Sequence, residues 1–143
     1  MAQDPQKFIP NLDGRQHSDW LFVEITRAQL DANGGIVEIE APAGSTVVSG
    51  FVDVLVAGNG GTTDTLDIGD PTDDDRYTAT AVDIKTTGRK TLTIGAGAFY
   101  YGKDGTTQKV RITAVQSGTA ATTGKVVVAL QFLQLGKWYF TQG

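Results

Sequence analysis

The chain reads in twos. WLFVEIT (residues 20–26) and GIVEIEAP (35–42) alternate apolar with polar positions, the second setting Ile36, Glu38 and Glu40 on one side against Val37 and Ile39. Neighbouring residues of a strand face opposite ways, so this spacing predicts strands with one buried face. STVVSGFVDVLVAG (45–58) is richer in β-branched residues and predicts a long strand, bent or bulged at Gly50. TDTLDIG (63–69), RYTATAVDIKT (76–86), KTLTIGAG (90–97), QKVRITAVQSG (108–118) and KVVVALQFLQL (125–135) predict further strands. Between them lie GNGGTT, TTGRK, GKDGTT and GTAATTG, whose Gly, Asn-Gly and Asp-Gly positions accept the backbone angles of tight turns. TRAQLDANG (26–34) competes with this rhythm. Its Ala, Gln and Leu favour one helical turn ending at Asn33-Gly34, and the strand context predicts a turn or bulge instead.

About eight short strands separated by turns predict an all-β, single-domain β-sandwich, jelly-roll-like, over residues 20–143. Residues 1–19 are polar and punctuated by proline, with Phe8, Ile9 and Leu12 as isolated apolar positions. Too sparse to form a core, they predict an extended N-terminal arm anchored on another surface by Phe8, Ile9, Leu12 and Trp20.

Charge and composition narrow the chemistry. The 143 residues hold no cysteine, which removes disulfides, thiolate nucleophiles and sulfur-ligated metals together. A net charge of -4 argues against a surface that tracks phosphates, so nucleic acid is not an expected partner. No apolar run approaches the roughly 18 residues of a membrane span, and the first residues lack the layout of a signal peptide. No membrane contact is expected, and synthesis in a cytoplasm is.

The acidic stretch TTDTLDIGDPTDDDRY (62–77) is the densest candidate site. Counted from Asp64 as a calcium loop, it has Gly69 sixth, but Leu66 and Ile68 stand third and fifth, where oxygen ligands belong. Leu66 and Ile68 alternating with Thr65 and Asp67 instead predict a strand leading into a solvated turn at Gly69-Asp70-Pro71. The competing reading is a calcium ion held by some of Asp70, Asp73, Asp74 and Asp75. A run of aspartates in a polar loop gives no reason for the raised pKa that carboxylate catalysis needs. The single histidine, His17, has no triad motif around it. GNGG (58–61) lacks the Lys-Ser/Thr and following helix of a phosphate loop and predicts a hairpin connection. No catalytic residue, metal site or cofactor is therefore expected, and the chain does not read as an enzyme.

Two aromatic runs, Phe99, Tyr100, Tyr101 and Trp138, Tyr139, Phe140, cannot turn every ring inward, because strand neighbours face opposite sides. They predict an interface between subunits, where aromatics are enriched.

The segment VVSGFVDVLVAGNGGTTDTLDIGDPTDDDRY resembles small virion proteins of tailed bacteriophages. There a Gly-Phe-Val-Asp-Val-like strand (here residues 50–54) precedes a Thr-Asp-Thr-Leu-Asp-Ile-Gly-Asp segment (63–70) and an acidic turn ending in Arg-Tyr (73–77). The resemblance covers the middle third of the chain. It implies a virion structural protein, either a head decoration (cement) protein or another head or tail component. The leading expectation is a decoration protein on the capsid exterior, a homotrimer that binds the major capsid protein and stabilises the head. The alternative expectation is a carbohydrate-binding β-sandwich module of a tail fibre or baseplate, with Tyr100, Tyr101, Trp138 and Tyr139 as its sugar platform.

Overall fold

The computed structural model describes residues 17–41, 45–94 and 108–134. These form eight strands and one short helix: β1 (His17–Thr26), α1 (Arg27–Ala32), β2 (Ile36–Ala41), β3 (Ser45–Val56), β4 (Thr63–Gly69), β5 (Val82–Asp83), β6 (Gly88–Thr91), β7 (Gln108–Ser117) and β8 (Lys125–Gln134). They pair into two antiparallel sheets of four, in the orders β1-β8-β3-β6 and β2-β7-β4-β5. The all-β sandwich expected from the sequence is the observed architecture.

The pairing is nested. β1 lies beside β8, β2 beside β7, β3 beside β6 and β4 beside β5, so the first half of the chain runs antiparallel to the second half along its length. Of the seven steps between consecutive described strands, only β4 to β5 stays within one sheet. The GNGG segment leads from β3 in one sheet to β4 in the other. It is a crossover and not the hairpin expected.

Alternation sets the core. Ile25, Val52, Val54, Val126, Val128 and Leu130 face inward from the first sheet and meet Leu66, Ile68, Val110 and Ile112 from the second. In β4, Asp64, Leu66, Ile68 and Gly69 are buried while Thr65 and Asp67 are half-buried on the outer side, as the strand reading of the acidic stretch requires.

Four local expectations need correction. Within residues 26–34 a helix does form, α1 over Arg27–Ala32, because Thr26 and Gln29 make a reciprocal capping box and Leu30 is buried. The turn that follows is released by Gly34 at φ +66°, a conformation glycine adopts without steric cost. Gly50 is not the bulge: the pairing of β3 with β8 slips at Val48 and again at Leu55. Gly50 is small for another reason, since a Cβ there would stand 2.6 Å from the Ala129 carbonyl oxygen. The predicted strand over 76–86 shrinks to β5, because residues 71–77 turn back and plant Tyr77, 0% exposed, in the core. The Tyr77 amide bonds the Ile68 carbonyl at 2.8 Å, and the Thr78 hydroxyl accepts from the Ile68 amide at 3.2 Å. Finally, β6 ends at Thr91, so residues 92–94 of the predicted 90–97 are not strand, and residues 95–97 lie outside the described residues.

Candidate interaction face

The two outer faces of the sandwich differ in kind. On the β2-β7-β4-β5 sheet, strand register places Ile36, Glu38, Glu40, Asp67, Asp83, Lys109, Arg111 and Thr113 outward. Arg111 donates through Nε and Nη2 to Glu38 Oε1 at 3.0 and 2.7 Å, and Lys109 Nζ reaches Glu38 Oε2 at 3.4 Å. The Arg111 hydrogen bond, opposed by slight desolvation and helped by Lys109, holds the Glu38 carboxyl below its ordinary pKa. This is a solvated, charge-laced surface.

The β1-β8-β3-β6 sheet turns aromatic rings outward. Sequence alternation in WLFVEI had suggested apolar against polar, yet residues 20–23 are apolar on both sides. Leu21, Val23 and Ile25 pack toward the core, while Trp20 and Phe22 stand 44% and 60% exposed. Register brings Phe22 of β1, Ala129 of β8 and Phe51 of β3 into one row. Strands two apart in a sheet lie roughly 10 Å from each other. The Phe22 and Phe51 ring centroids are only 6.3 Å apart, so the two rings lean together over Ala129, which is fully buried beneath them although it faces outward. Trp20 completes the cluster at 6.0 Å from Phe22 and 5.7 Å from Phe51.

Beside the rings lies a row of paired charges. Arg89 of β6 chelates Asp53 of β3 through Nε and Nη2, both at 2.7 Å, and its guanidinium carbon sits 3.8 Å from the Phe51 ring centre. That hydrogen-bonded pairing lowers the Asp53 pKa and raises that of Arg89. Lys125 Nζ meets Glu24 at 3.0 Å on the other flank. An arginine held at once by a carboxylate fork and a ring face has little rotamer freedom left to lose on binding.

The acidic turn organises itself. Asp70 is buried, its Oδ1 accepting from the Thr72 amide at 2.8 Å, the Thr72 hydroxyl at 2.5 Å and the Asp73 amide at 3.0 Å, while Oδ2 takes the Arg76 Nε–H. Burial pushes its pKa up, but the Thr72 and Arg76 bonds outweigh it and hold the carboxyl low. Asp73, Asp74 and Asp75 are exposed, each offering an oxygen within 4.8 Å of the others. Three exposed carboxylates supply about half of the roughly six to eight oxygens calcium takes, and Asp70 is committed elsewhere.

A third cluster closes one end of the sandwich. Asp64, 0% exposed, faces inward from β4 and receives Arg27 Nη1 at 3.3 Å and the Gly60 amide at 3.3 Å. Gly58 and Gly60 leave room for it, since a Cβ on Gly58 would fall 2.2 Å from Asp64 Oδ2. The glycine-rich loop does cradle an anion, the chain's own aspartate.

Of the residues singled out from sequence, Trp20 lies on the aromatic face, as a strand residue of β1. Phe8, Ile9, Leu12, Phe99, Tyr100, Tyr101, Trp138, Tyr139 and Phe140 lie outside the described residues. Phe22, Phe51 and Arg89 were missed. The available signal was a strand apolar at both parities, with no helix or second strand in the sequence assigned to cover its outer side.

No protein-family model and no curated protein matches the chain. Among solved structures, a chain of the cyanophage Pam1 capsid asymmetric unit is similar, with a TM-score of 0.55 and 21% identity over 83% of this chain and 84% of that one. The likeness is one of fold.

Proposed function

We propose that this chain is a decoration protein of a tailed-phage head, which binds the assembled shell, bridges neighbouring major capsid protein subunits and works as a homotrimer on the capsid exterior. The observation that carries the reading is the shared fold: a chain of a phage capsid asymmetric unit follows this sandwich along 84% of its length. The nested pairing of β1 with β8 through β4 with β5 supports a jelly roll, an eight-stranded winding recurrent in viral capsids. The role is binding without turnover. Contacts of modest strength on each subunit of an oligomer sum through effective concentration into lasting attachment, which would oppose separation of the shell subunits.

The carbohydrate-module reading is separated from this one by copy number, since its platform of Tyr100, Tyr101, Trp138 and Tyr139 lies outside the described residues. Quantitative mass spectrometry of purified virions tests the role. Decoration requires a copy number comparable with that of the major capsid protein, whereas the few copies of a fibre or baseplate module would refute it.

A further inference from the structure

We infer that the outer face of the β1-β8-β3-β6 sheet is the contact between copies of this chain, with Trp20, Phe22, Phe51 and Arg89 at its centre. The inference rests on the oligomeric part of the proposed function and is independent of what the oligomer binds.

Three observations converge on a second copy as the occupant. Among the described residues five large apolar side chains are notably exposed, and four of them, Trp20, Phe22, Leu55 and Val56, belong to strands of this sheet, against Val115 on the other. The charge pattern then selects the partner. The chain as a whole carries -4, so two copies repel across most of their surfaces. On this face Glu24 and Asp53 are balanced by Lys125 and Arg89. The opposite face sets Glu38, Glu40, Asp67 and Asp83 against Lys109 and Arg111, leaving an acidic excess. A contact between copies in a cyclic trimer joins two parts of the same chain's surface, and is served by an apolar centre with both signs of charge at the rim. The aromatic face fits that description and the acidic one does not. Finally, Trp and Arg are the residues in which interface energy concentrates, and here Arg89 is already fixed by Asp53 and Phe51, so little ordering is left for association.

The test is sedimentation of the full chain over a range of concentrations, as wild type, Phe22→Glu, Phe22→Ala and Val115→Glu, with circular dichroism to confirm folding. Phe22 and Val115 are both exposed, so none of these changes opens the core. Wild type and Val115→Glu should associate alike, and Phe22→Glu should weaken association by about tenfold or more, equivalent to about 1.4 kcal/mol. If Phe22→Glu fails to fold, Phe22→Ala carries the same expectation. A wild type that stays monomeric throughout would overturn both the oligomer and its face. Association of the Phe22 variants at wild-type strength, or its loss in Val115→Glu, would overturn the face alone. Binding of wild type to empty heads, measured in parallel, bears on the decoration role.

Discussion

Phe22 and Asp67 sit on opposite outer faces, and each is explained by what surrounds it rather than by its residue type. Phe22 remains 60% exposed while sealing Ala129, an arrangement that serves a partner better than it serves the fold. Asp67 is half-buried on the acidic side, where burial and then the neighbouring Asp74 and Asp75 raise its pKa above the ordinary aspartate value. A carboxyl whose folded pKa is raised destabilises the fold wherever it is ionised, and stops doing so once the pH falls below both its folded and unfolded values. Asp67→Asn should accordingly raise the thermal midpoint at neutral pH, by a gain of less than about 1 kcal/mol. The gain should shrink as pH drops through the raised value and vanish below about pH 4. A gain that persists unchanged into acid would show that the charge was not its source. Asp70 runs the other way. Its depressed pKa contributes stability above the ordinary aspartate value, and that stability is lost as pH falls through the depressed one.

Among the elements, α1 is held by more than its own six residues. Arg27 opens it, bonds Asp31 at 2.9 Å and Asp64 at 3.3 Å, and donates its amide to the Gly124 carbonyl at 2.9 Å. One residue therefore links the helix to β4 through its side chain and to the loop before β8 through its amide. Asp64→Asn leaves the buried Arg27 with the half-exposed Asp31 as its remaining carboxylate, so it should cost about 1.5–3 kcal/mol in chemical denaturation, the worth of a hydrogen bond to a charged group. Arg27→Met combined with Asp64→Leu should recover most of that loss, since a well-packed apolar pair carries no desolvation penalty. Equal losses in the single and double variants would mean that shape, and not charge, holds this end closed. None of this was legible beforehand. The alternation that revealed β2, β4, β7 and β8 reports only which side of a strand is buried. It does not reveal that Asp64, at an inward parity in β4, has a partner 37 residues away. Nor does local propensity decide whether residues 26–34 turn or coil, because Leu30 and the Thr26–Gln29 box settle that through burial and capping together. Tyr77 escaped for a similar reason: an acidic turn reads as solvated, yet the Asp70-centred hydrogen bonds fold it back and drive the next aromatic inward.

The described residues form a sandwich with two unlike outer faces. One face is charged and solvated, the other presents an aromatic cluster with balanced charge beside it, and the core between them is formed by period-two alternation. The strand rhythm was enough to anticipate the sandwich, because each strand's buried parity is written locally. The aromatic face was not anticipated, because it depends on which strands lie side by side, and the register of β1, β8 and β3 is a property of the whole winding. A decoration role requires that such a molecule recognise an assembled shell more strongly than loose capsid protein, since bridging contacts exist only between neighbouring subunits. Co-sedimentation of the purified full chain with undecorated heads, compared with unassembled major capsid protein, measures this directly. Saturable binding to the heads and none to the unassembled subunits is the expected result; no binding to heads at concentrations where the protein is folded would contradict it.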